Sequence, residues 1–153
     1  MYTSCGVYSF SGASIAEAVN TVCVNYIQNE AKLIEPNLAN KFTEALITKC
    51  QTETNLTSVS NNADINFSGR IVKYEVEPIA IQKNETAAQN RLTISVEISY
   101  INQINESENF KQTFVDYADF DSNQNFSNIE ETLNSIIIAN LIDQVFNKAF
   151  MNW

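Results

Sequence analysis

An α+β fold is what this sequence predicts: two amphipathic helices packed on one face of a four-stranded, mostly antiparallel or mixed sheet. Two segments carry apolar residues at helical spacing, and four carry them in strand-like alternation. Their order along the chain is strand, helix, strands, helix. Helices with one apolar stripe and a sheet with one apolar face bury both in two layers. At 153 residues, with 44% hydrophobic and 18% charged, the chain suits one domain with a real core. That domain runs from 21 to 153 after a short segment 1–20, with no internal repeat or linker to divide it.

The first strand is expected at Thr21–Ile27, where Val22, Val24 and Tyr26 alternate with Thr21, Cys23 and Asn25. Pro36 suits the first turn of a helix, where its missing N–H costs nothing. From Asn37 to about Thr52, Leu38, Phe42, Ala45, Leu46 and Lys49 then share one helical face. A short run, "NLTSV", and a turn cluster, "SNNAD", lead into three long strands. The first, Ile65–Val76, changes phase: Ile65, Phe67 and Ile71 have one parity, and Val72, Tyr74 and Val76 the other. A β-bulge near Gly69 would reconcile its halves. The second, Arg91–Ile101, alternates cleanly through Leu92, Ile94, Val96, Ile98 and Tyr100. The third, Asn109–Phe120, places Phe110 and Phe114 on one side and Val115 and Tyr117 on the other, after a hairpin connection. Ser127 and Glu130 have capping-box spacing. Behind them Ile129, Leu133, Ile136, Ile137, Leu141, Val145, Phe146 and Ala149 form the apolar stripe of the last helix. Its run "SIIIANLI" is far shorter than the roughly 20 apolar residues of a membrane span.

Composition excludes several functions. The net charge is −9 with 9 basic residues in all, which argues against nucleic acid, because phosphate neutralisation needs clustered Lys and Arg. The chain has no histidine, and so no imidazole base, Ser-His or Cys-His pair. No glycine-rich phosphate loop and no CxxC occurs. The expectation is therefore no enzyme, no catalytic residue, no cofactor and no metal. Asp116, Asp119 and Asp121 lie close in sequence, but lack the glycine turn of a calcium loop and sit on a strand pattern. A hydrolase using Asp116 and Asp119 would need both carboxylates in one concave site. Cys23 and Cys50 read as small buried hydrophobes, and their pairing stays open. Cys5, among small residues, is the odd thiol.

The basic residues concentrate between Gly69 and Leu92. Arg70, Lys73, Lys83 and Arg91 stand there against Glu75, Glu77 and Glu85. Arginine grips phosphate through paired N–H donors, which makes these four candidate phosphate contacts. Ordinary surface charge accounts for them equally well. The loop holding Asn84, Glu85 and Thr86 is the candidate partner-facing tip.

Four segments, "CGVYSFSGASI", "NETAAQNRLTISVEI", "YADFDS" and "VFNKAFMNW", stand in register from Cys5 to Trp153. Together they resemble the LptE family of lipopolysaccharide-assembly lipoproteins, in its Bacteroidetes branch. The resemblance implies two helices on a four-stranded sheet and a non-enzymatic plug in the LptD outer-membrane β-barrel. Such a plug supports barrel assembly and meets lipopolysaccharide as it passes. It also implies that Cys5, preceded by Thr3 and Ser4, is the lipidated residue, with residues up to 20 as a tether. The four residues before Cys5 hold no apolar signal stretch, so a start lacking the signal peptide is expected. The implied location is the periplasmic side of the outer membrane, held by the lipid anchor. Lipopolysaccharide phosphate would be the ligand of Arg70, Lys73, Lys83 and Arg91. The alternative is a free-standing cell-envelope lipoprotein that binds a small ligand or glycan.

Overall fold

The strand with the cleanest alternation lies inside the sheet. In a computed structural model describing residues 15–33, 35–79 and 88–151, β5 (Gln89–Asn102) pairs antiparallel on both sides. Its neighbours are β4 (Ile65–Ile79) and β6 (Phe110–Asp121). Beyond β4 the sheet turns parallel: β1 (Thr21–Val24) and β2 (Gln28–Asn29) both pair with it, and β3 (Thr57–Ser58) pairs with β1. The order is β3-β1-β4-β5-β6 with β2 also on β4. Among the described residues six strands in a mixed sheet replace the four expected, because the expected first strand breaks and the "NLTSV" run adds a short edge. The α+β class is as expected.

The break has a local cause. Asn25 spends its backbone N–H and its side-chain amide on Phe67 O, at 2.9 and 3.0 Å. Ile27 then turns fully into the core, where its N–H donates to Thr43 Oγ1 at 2.9 Å, while Tyr26 is left 55% exposed. Alternation alone had put Tyr26 with the core valines. The start of β1 is clamped by Asp64, whose carboxylate accepts from Asn20 N and Thr21 N while Asp64 N donates to Thr21 Oγ1.

The phase change in β4 is real but sits later than Gly69. The register with β5 slips between Ile71 and Lys73, so Val72 is the extra residue of the bulge. Tyr74 is buried beyond the slip as expected, whereas Val76, read onto the same side, is exposed. Gly69 answers to a different constraint. A Cβ there would lie 2.1 Å from Glu97 O, so only glycine lets β4 approach β5 this closely.

Both helices cover the same face. α1 (Leu38–Glu53) buries Leu38, Phe42, Leu46 and Cys50, and α2 (Phe126–Phe150) buries Leu133, Ile137, Leu141, Val145 and Phe146. Helix starts differ slightly from expectation. Asn37 is the cap of α1, which leaves Pro36 just outside the first turn. Asn125, not Ser127, caps α2: its side chain accepts from Ser127 N at 3.0 Å. The capping box is therefore not used, and Glu130 instead accepts from the Tyr74 hydroxyl at 2.7 Å. Ile136, expected in the stripe, is 49% exposed, and its place is taken by Ile138 and Ile142. Lys49 pairs with Glu53 and with Asp143 at 2.9 Å, tying α1 to α2 above Phe146. Beneath the helices, Phe67, Tyr100, Phe146 and Phe150 pack ring on ring, with centroids 4.9–6.1 Å apart.

Candidate functional site

The helix-free face of the sheet carries the charged candidates. Cross-strand partners point to the same face, so Arg70 opposite Glu97, Lys73 opposite Ser95, and Arg91 opposite Glu77 all project away from the helices. They do not converge on one point. Glu97 and Arg91 are six residues apart on β5, which separates the two arginines by about 20 Å along the strand.

Each of the three described candidate cations already holds a carboxylate. Arg70 donates through its Nη1 to Glu30 at 3.1 Å and through Nε to Glu97 at 3.2 Å. Arg91 donates twice to Asp119, at 2.7 and 3.1 Å, and its guanidinium lies 3.7 Å from the centroid of the Tyr117 ring. Lys73 stands 3.5 Å from Glu75. Lys111 adds a further arm, 3.7 Å from Glu97. A row of alternating charge, Glu30, Arg70, Glu97 and Lys111, thus crosses from the residue after β2 to β6. The sequence singled out the two arginines by type, but not that Glu30, Glu97, Asp119 and Tyr117 engage them or that Lys111 joins the row. Asp119 and Tyr117 share one parity on β6, but only the β5–β6 register sets them against Arg91. Cys5 and the loop residues Lys83, Asn84, Glu85 and Thr86 lie outside the described residues.

The acidic run does not form a carboxylate pair. Asp116 sits opposite Ile94 on the helix side, where its Oδ2 accepts from Asn140 at 2.9 Å. Asp119 sits opposite Arg91 on the other face. Among the described residues no group of three His, Cys, Asp or Glu is placed to hold a metal ion. Cys23 and Cys50 are both buried free thiols, and burial pushes the Cys50 thiol up to about 12, which leaves it unreactive. No described helix is long and apolar enough to cross a membrane. A polar depression of about 310 Å³ opens between Ser107–Phe110 and Asn147–Ala149, with Lys148 over the Phe110 ring.

The fold has solved counterparts. A minor lipoprotein from Acinetobacter baumannii superposes with a TM-score of 0.51 at 13% identity, over 80% of this chain and 91% of that one. The rare lipoprotein B from Shewanella oneidensis gives 0.52 at 8% identity, over 84% and 90%. A hypothetical protein from Chlamydia trachomatis also gives 0.52 at 8%, over 86% and 98%. At such identities the likeness is one of fold. No curated protein matches the sequence. A family model described as LptE, lipopolysaccharide-assembly, matches residues 19–149, which takes in every strand and nearly all of both helices. The chain therefore belongs to the LptE family, a non-enzymatic family of outer-membrane-associated lipoproteins.

Proposed function

We propose that this chain is the lipoprotein subunit of an outer-membrane lipopolysaccharide translocon. In that role it plugs and supports an LptD-like β-barrel and assists insertion of lipopolysaccharide. The observation that carries the reading is the family match across residues 19–149. The two-layer domain, with a dry helix side and a charged opposite face, suits a plug that needs a rigid body and a polar surface. Acylation at Cys5 would hold it to the membrane; the expected tether to residue 20 is shortened, because Ile15 packs against the core and Val19 is buried in it, so Gly6 to Ser14 would reach at most ~30 Å.

In this reading lipopolysaccharide phosphate contacts Arg70, Lys73 and Arg91, with Lys83 and the Asn84–Thr86 tip beside them in sequence. Because both arginines hold carboxylates, a phosphate must displace Glu30 or Glu97 from Arg70, or Asp119 from Arg91. The planar guanidinium fork suits such an exchange better than an ammonium does.

Co-purification tests the partnership. Tagged full-length protein extracted from outer membranes in gentle detergent should bring down a barrel of LptD size. Recovery of the isolated monomer alone would overturn the reading and favour a free-standing lipoprotein. A lipopolysaccharide-binding assay beside a thermal melt tests the contact: Arg70→Ala with Arg91→Ala should weaken binding while the melt stays put.

A further inference from the structure

The two edges of the sheet are treated differently. On one side it ends in β3, a strand of two residues that offers little to pair with. On the other, among the described residues, it ends in β6, twelve residues in unbroken register with β5, with no proline and no bulge. Long, regular edges of this kind are templates for another strand. Val115 and Tyr117, about half exposed, stand on the outward face of that edge.

The charges on β6 say what fits. The row Glu30, Arg70, Glu97, Lys111 alternates in sign across the sheet and stops at Lys111, on the last strand. If a second β6 lies antiparallel with Val115 opposite its own copy, Lys111 meets Asp119 twice, once on each side of the two-fold axis. Asp119 in turn holds Arg91, so the alternation continues into the second sheet. In the same register Thr113 meets Tyr117, and Phe110 meets Phe120. Sliding two residues one way pairs Lys111 with Asp121 but sets Asp116 against its own copy; sliding the other way sets Lys111 against Tyr117 and loses the ion pair. On the helix side the copies would meet through the polar flank of α2, where Asn140 bonds Asp116 and Lys148 covers Phe110.

We infer that this chain self-associates edge to edge through β6, a second copy docking antiparallel about Val115 to join two sheets into one. The inference does not depend on the translocon reading. Sedimentation velocity on the full chain over a wide concentration range should show a reversible dimer. Lys111→Asp sets like charges opposite each other at two rungs and should weaken the dimer on the order of tenfold. Val115→Lys sets an ammonium against its own copy and should abolish the dimer, while its exposed position leaves the monomer's melting temperature unchanged. A monomer at every concentration overturns the inference. So does a dimer indifferent to Lys111→Asp and Val115→Lys.

Discussion

Along β5, Leu92, Ile94, Val96, Ile98 and Tyr100 point under the helices and are at most 1% exposed, while Arg91, Thr93, Glu97 and Ser99 point the other way. One strand thus carries two chemistries, and their energetic weights differ. Burial stabilises by roughly 25 cal/mol for each Å² of apolar surface removed from water. Exposed ion pairs are screened and repaid by solvent, so most contribute little. The helix side therefore holds the fold, and the charged side can be rearranged by a ligand or a second strand without unfolding the domain. The difference teaches where to look for function: on the face that stability does not need.

The largest expected effect comes from the helix side. Ile137 is fully buried, and Ile137→Ala should cost about 2–5 kcal/mol in denaturant unfolding. A loss below about 1 kcal/mol, in the range of surface changes, would break the assignment of this face as the core. Gly69→Ala comes next. Its Cβ would meet Glu97 O at 2.1 Å, a backbone atom that cannot swing away, so a loss of about 1–3 kcal/mol is expected. Unchanged stability would mean that β4 and β5 can move apart.

Tyr74 gives a smaller and pH-dependent effect. Burial first, and then the hydrogen bond to Glu130, raises its hydroxyl above the ordinary tyrosine range; burial raises Tyr100 as well. A group whose pKa is raised by folding stabilises below its unfolded value and loses that contribution as pH climbs past it. Melting temperature should therefore fall as pH rises through about 10. Tyr74→Phe should cost about 1 kcal/mol at neutral pH and shrink the alkaline fall. An alkaline fall of undiminished size would leave Tyr100 or bulk charge as its source.

The smallest effect sharpens the comparison most. Ile136 neighbours Ile137 but is half exposed, so Ile136→Ala should stay within about 0.5 kcal/mol of the parent. Were it to rival Ile137→Ala, the helical phase of α2 would be misplaced.

Much of this was legible without coordinates. Residues two apart share a strand face and residues three or four apart share a helix face, so Leu92 to Tyr100 on one strand face, and Leu133, Ile137, Leu141 and Val145 on one helix face, declared their burial through spacing alone. The phase change in β4 showed itself for the same reason. The absence of histidine also limited the chemistry available to any site.

Tertiary structure decided the rest, because it depends on partners distant in sequence. Tyr26 alternates like a core residue, yet Asn25 binds Phe67 O and Thr43 holds Ile27, so the strand breaks and the ring turns out. The capping box had the correct spacing, but Asn125 lay nearer the turn out of β6 and took the cap, leaving Glu130 to Tyr74. The slip at Val72 and the closeness that demands Gly69 are properties of the β4–β5 pair, not of either strand. Likewise Arg70 and Arg91 could be singled out by type. Their engagement with Glu30, Glu97, Asp119 and Tyr117 follows from register, which local patterning does not encode because each charge finds its partner 26 or more residues away.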